Sequence, residues 1–153
     1  MTGLVVLVVA LTLSVVLGLL YQRRNGRFRE TAPTVPVPAG RPDDAVRLSA
    51  QQIGVPLGTE ATLVQFSTAF CSPCRATKAL LSDVVSRETG VVHVEIDAES
   101  HLDLVRELDI MRTPTVLVLD PAGVVVRRAS GLPRRDQVLT TLAAVRAGVD
   151  LNK

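Results

Sequence analysis

The sequence predicts an α/β domain, with a central mixed β-sheet flanked by helices, preceded by one N-terminal transmembrane helix. Three observations carry this expectation. Residues Gly3 to Tyr21 form a charge-free apolar run, residues 22–45 are basic and proline-rich, and residues 46–153 alternate short β-branched runs with helical stretches. At 153 residues, 47% hydrophobic and 21% charged, the chain has room for one ordinary domain and an appendage. The net charge of +2 is near neutral, and the Lys and Arg residues form no stripe interleaved with aromatics, so nucleic acid is not an expected partner. Only two cysteines occur, three positions apart, which excludes a scaffold stapled by disulfides between distant elements.

The run from Leu4 to Leu20 is Val and Leu broken only by Ala10, Thr12, Ser14 and Gly18. Its length suits a bilayer span, which takes about 20 residues at roughly 1.5 Å each. A buried core helix would carry a polar stripe, and this run has none. A cleaved signal peptide would open with positive charge and end in small residues, whereas Met1-Thr2-Gly3 is uncharged in its side chains and Leu19-Leu20-Tyr21 suits no cleavage site. Arg23, Arg24, Arg27 and Arg29 all follow the run. Flanking cations are held on the cytoplasmic side, so a single-pass cell-membrane protein with its N-terminus out and its domain in the cytoplasm is expected. The extracytoplasmic alternative requires the domain to override these arginines. Pro33, Pro36, Pro38 and Pro42 then make the stretch from Thr31 to Asp44 an extended, semi-rigid spacer that holds the domain off the bilayer.

Within the domain, Thr62 to Ser67 reads as a strand and Arg75 to Thr89 as a helix stopped at Gly90, its apolar face supplied by Leu80, Leu81, Val84 and Val85. Val91 to Ile96 is again a strand. A helix follows over Ser100 to Leu108, with Leu102, Val105 and Leu108 on one side. Thr115 to Leu119 and Val124 to Arg128 form an antiparallel hairpin about the turn Asp120-Pro121-Ala122-Gly123, and a last helix runs from Arg134 to Arg146. Strands alternating with helices imply a sheet covered on both faces.

The chemistry is concentrated at Phe70-Cys71-Ser72-Pro73-Cys74, where the first strand gives way to its helix. A thiol at a helix start faces unpaired backbone N–H groups and the positive end of the helix dipole, which lower its pKa from about 8.5. Cys71 is therefore the expected nucleophile and Cys74 the thiol that resolves a mixed disulfide, with Arg75 adding a nearby positive charge. Half of a zinc site has the same spacing. A structural zinc site takes four N or S ligands, and His93 and His101 are the only histidines, so no metal site within the chain is expected.

The setting of the pair resembles the thioredoxin family from roughly Leu48 onward. Met111-Arg112-Thr113-Pro114-Thr115 is similar to the family's cis-proline segment, the strand Val91 to Ile96 followed by Asp97 matches, and Gly131 stands where the family has a glycine loop in its substrate groove. The resemblance implies a thioredoxin-like fold, a cis Pro114 facing the cysteines, and client contacts from Phe70, Ser72, Pro73, Thr113, Pro114 and Gly131. It also implies an active dithiol that needs no bound cofactor and draws electrons from a separate reductase. Phe70 stands where the family has Trp, Ser72 where reducing members have Gly, and Gln65 where many bury an Asp that helps the second cysteine lose its proton. Gln cannot titrate, so a water or His93 would serve as the base. Pro73 matches the reducing members.

The expected function is thiol–disulfide oxidoreduction, directed at disulfides of client proteins near the membrane. A membrane-tethered peptide-binding or chaperone-like module, using the groove around Phe70, Thr113-Pro114 and Gly131-Leu132 without turnover, is the alternative from another class. Metal carriage by the dithiol is a third.

Overall fold

The structure, a computed structural model, describes the backbone of residues 2–24, 28–30 and 46–148, and the side chains of 5–20 and 46–148. In chain order the elements are α1 (Thr2–Arg24), β1 (Phe28–Glu30), α2 (Ala50–Ile53), β2 (Ala61–Ser67), α3 (Ser72–Val85), β3 (Val91–Asp97), α4 (Leu102–Glu107), β4 (Thr115–Leu119), β5 (Val125–Ser130) and α5 (Arg135–Ala147). The strands form one mixed sheet in the order β1-β5-β4-β2-β3, parallel only between β2 and β3.

β2 is central, and all seven of its residues are buried. Successive side chains on a strand point to opposite faces, so β2 feeds two cores. Val64 and Phe66 join Ile53, Leu104, Leu108, Leu117 and Leu119 beneath α2 and α4. Ala61 and Leu63 join Leu81, Val84, Val116, Val138 and Leu142 beneath α3 and α5. The same alternation turns Gln65 toward α3. The hairpin β4–β5 is tied at its turn by Asp120, whose Oδ1 accepts from the Ala122 and Val124 amides at 2.9 and 2.8 Å.

Several local expectations are revised. α3 begins at Ser72 rather than Arg75, because Pro73 fits the first turn, where a helix has no amide partner to lose. In α4 the buried residue is Leu104, and Leu102 is 51% exposed. The short helix α2 was not anticipated. It rests on a capping box in which the Ser49 hydroxyl accepts from the Gln52 amide and Gln52 Oε1 accepts from the Ser49 amide.

The basic and proline-rich stretch is also not uniformly a linker. Phe28–Glu30 adds an antiparallel strand to the outer edge of β5, with Phe28 opposite Ala129 and Glu30 opposite Arg127. A sheet strand therefore precedes the prolines, and the prolines do not separate α1 from the sheet. Thr31 to Asp44 itself lies outside the described residues.

The expected transmembrane helix is not upheld as a span: among the described residues no helix is long and apolar enough to cross a membrane. The part of α1 with described side chains, 5–20, is exposed along its whole length.

Candidate active site

Cys71 and Cys74 are joined by a disulfide, with their Cα atoms 5.2 Å apart. Cys71 is the N-cap of α3 in an extended conformation, and its sulfur accepts from the Cys74 amide at 3.2 Å. One turn inside the helix, Cys74 is only 2% exposed, while Cys71 is half-buried. A helix N-terminus leaves amides without intrahelical partners, and here the sulfur of Cys71 occupies one of them. The two sulfurs thus differ in access and in polarity.

The other expected residues gather around them from distant parts of the chain. Thr68, at the end of β2, shares a hydroxyl hydrogen bond of 3.2 Å with Thr113, which brings the segment before β4 against the cysteine loop. The Thr113–Pro114 peptide bond is cis. Pro114 is buried, and its carbonyl accepts from the Gly131 amide at 2.7 Å, which ties the loop after β5 to the same place. Gly131 adopts φ 92°, a left-handed conformation that suits glycine. Ser72 and Pro73 are exposed on the first turn of α3. Phe70, next to Cys71 in the chain, is 100% exposed, and Met111, two residues before Thr113, is 83% exposed.

Beneath the disulfide the polar groups are those of the sheet. Gln65 is fully buried, and its Nε2 donates to Ser67 Oγ at 2.8 Å and to the carbonyl of Cys74 at 2.9 Å, with Glu95 Oε1 at 3.5 Å. Glu95 lies opposite Gln65 in the β2–β3 register and pairs with Lys78 Nζ at 2.7 Å. Burial raises the Glu95 carboxyl, but hydrogen bonds from Lys78 and Ser67 and the charge of Lys78 outweigh it and hold the group below the usual carboxylate range. A cleft of about 360 Å³ runs from the disulfide past Ser67 and Lys78 to Glu95 and Asp97.

His93, the residue proposed from the sequence as a substitute base, does not line this cleft. Its Nε2 is buried without a hydrogen-bond partner, and burial lowers its pKa. Glu95, Ser67 and Lys78 were not singled out from the sequence. The legible signal was the alternation of His93, Glu95 and Asp97 along one face of an otherwise apolar strand. Among the described residues no group of three or more His, Cys, Asp or Glu side chains is placed to hold a metal ion.

The chain is similar to known proteins over this region. It is 34% identical over 77 residues to the mitochondrial thioredoxin of Bos taurus, a match covering 50% of this chain and 46% of that protein. It is 31% identical over 58 residues to a thioredoxin of Ophiophagus hannah, covering 38% of this chain and 55% of that protein. The chain thus spans about half the length of the curated relatives it matches. Among solved structures, a chloroplastic thioredoxin z aligns with a TM-score of 0.57 at 25% identity, covering 68% of this chain and 96% of that one. Thioredoxin NaTrxh from Nicotiana alata aligns at 0.52 and 25% identity, covering 57% and 75%. A family model described as Thioredoxin matches residues 51–144, which hold β2 to β5, both cysteines, Pro114 and Gly131. On that match, which takes in more than half of its residues, the chain belongs to the thioredoxin family.

Proposed function

We propose that this protein is a membrane-associated thiol–disulfide oxidoreductase that reduces disulfides of client proteins. The observation that carries the reading is the asymmetry of the pair: Cys71 caps α3 at the surface, and Cys74 is buried one turn inside. In the reduced protein the Cys71 thiolate, favoured by the amides and dipole of α3, attacks a client disulfide. One client sulfur leaves as a thiolate, and the other is held in a mixed disulfide. Cys74 then gives up its proton and attacks Cys71 Sγ. The Cys71–Cys74 disulfide re-forms and the second client thiolate departs, taking up a proton, so two electrons have passed from protein to client. No cofactor takes part in these steps, and a separate reductase restores the dithiol.

Phe70, Ser72, Pro73, Thr113, Pro114 and Gly131 form the surface the client meets. Its extended segment pairs with the backbone at Thr113, and its apolar side chains rest on Phe70. Membrane association is assigned to α1, whose described side chains are exposed all round and apolar except for Thr12 and Ser14, the pattern of a helix buried in something other than its own domain. The arginines at 23, 24, 27 and 29 favour a cytoplasmic placement of the domain.

Trapping tests the catalytic reading. Cys74→Ser is expected to accumulate mixed disulfides that disappear on strong reduction, because attack succeeds and release does not. Cys71→Ser should accumulate few. Equal trapping by both variants would overturn the division of roles. The exposed Phe70 and Met111 also favour a second reading, a peptide-binding module without turnover. That reading takes over if neither variant traps a client and both retain the wild-type phenotype.

A further inference from the structure

Gln65 carries an unpaired acceptor. Its Oε1 is buried and has no hydrogen-bond partner, in a residue that is itself 0% exposed. The amide is fixed in this orientation from its amino side, where Ser67 Oγ, the Cys74 carbonyl and Glu95 Oε1 are all acceptors. Turning it over would set the carbonyl oxygen against the Cys74 carbonyl and the Glu95 carboxylate. A buried acceptor without a donor costs free energy, so the disulfide form holds a penalty at this position.

The neighbour whose donor inventory changes with redox state is Cys74. It is 2% exposed, and its carbonyl lies 2.9 Å from Gln65 Nε2. In the disulfide its sulfur has no hydrogen, and its amide is already directed to Cys71 Sγ and the Cys71 carbonyl. Reduction by two electrons and two protons turns the pair into Cys71–SH and Cys74–SH. The new S–H of Cys74 is then a donor created in a buried residue whose own carbonyl already touches the Gln65 amide.

We propose that Gln65 Oε1 accepts a hydrogen bond from the Cys74 thiol in the reduced protein, making Gln65 a positioning residue that shifts the redox equilibrium toward the dithiol. The inference deepens the oxidoreductase reading and rests on it for its meaning in turnover. Two consequences follow for the reaction. Cys74 stays protonated until Cys71 has attacked, and the protein is a milder reductant than it would be with an apolar residue at 65.

The test is the equilibrium of the full chain with glutathione at pH 7, protein-S₂ + 2 GSH ⇌ protein-(SH)₂ + GSSG, followed by thiol labelling. Gln65→Met keeps the side-chain length and removes the acceptor. Its equilibrium constant is expected to fall about tenfold, equivalent to about 30 mV toward more negative potential. A change of less than twofold, or a rise, overturns the proposal. Unfolding of the dithiol and disulfide forms separates this from a merely structural role: loss of packing destabilises both forms equally, whereas the proposal requires the larger loss in the dithiol. Should Gln65→Met fail to fold, the infrared S–H stretch of Cys71→Ser, whose only thiol is Cys74, decides. A band at the frequency of a free thiol rejects the hydrogen bond, and a band lowered from it supports it. Neither measurement needs a client, so failed trapping with a shifted equilibrium removes the proposed activity and leaves this inference standing, and the converse result does the opposite.

Discussion

His93 and Glu95 sit two residues apart on β3, where successive odd positions face α3, and both have pKa values below their ordinary ones for different reasons. Burial of the His93 imidazole ring disfavours its charged form more than the neighbouring Glu95 favours it. The unfolded chain therefore binds a proton at His93 more readily than the folded one. Stability falls as pH drops through the ordinary histidine value near 6.5, and the loss levels off below the folded value. Glu95 has the opposite charge and the same consequence: its contribution is present above the ordinary value near 4.5 and is lost as pH falls through its folded value. The thermal midpoint of the full chain is expected to drop between pH 7.5 and 5.5, and His93→Gln should flatten that slope. An unchanged slope in the variant would reject His93 as its source.

At the scale of elements, the two cores divide stability from chemistry. Phe66 is fully buried on the α2 and α4 side of β2, while Gln65 and Cys74 meet on the α3 side. Phe66→Ala should cost about 3–5 kcal/mol, the range for deleting a buried aromatic side chain. In the protein that remains folded, the glutathione equilibrium should stay at its wild-type value. Denaturant unfolding and redox titration of one preparation check both halves. A shift in the equilibrium would mean that the cores are coupled through β2. Gly123 tests the hairpin separately: at φ 81° with the Leu48 carbonyl against the position of a Cβ, it tolerates no side chain without displacement. Gly123→Ala should therefore lower the unfolding midpoint while trapping by Cys74→Ser persists.

For the whole molecule, the pairing of β1 with β5 shortens the connection between α1 and the sheet. α1 ends at Arg24 and β1 begins at Phe28, and four residue steps reach at most about 14 Å. An α1 lodged in a bilayer would hold the β5 edge close to the lipid surface. The proposed membrane association predicts that the full chain sediments with membranes and resists alkaline carbonate, and that deletion of 2–24 releases it. Recovery of the full chain in the supernatant would reject it. With the domain on the cytoplasmic side, a membrane-impermeant thiol reagent should label Cys71 only after lysis. Labelling in intact cells would place the domain outside and require electrons to be delivered across the membrane.

What the sequence determined by itself was whatever depends on near neighbours. The β-branched runs at 62–67 and 115–119, the apolar spacing of α3 and the Asp120–Gly123 turn each encode their element within a few residues. The Cys71–Cys74 spacing likewise needs only one helical turn to bring the sulfurs together. Tertiary structure decided the rest, because strand register and loop contacts depend on partners remote in sequence. Gln65 meets Glu95 across the β2–β3 register, 30 residues away, and Thr68 meets Thr113 across 45. The three residues of β1 carry no pattern distinctive enough to mark a strand, and it is the open edge of β5 that makes them one. The unpaired acceptor of Gln65 belongs to the same class: the sequence shows a glutamine in a strand, and only the tertiary structure buries its oxygen without a partner while its nitrogen meets the Cys74 carbonyl.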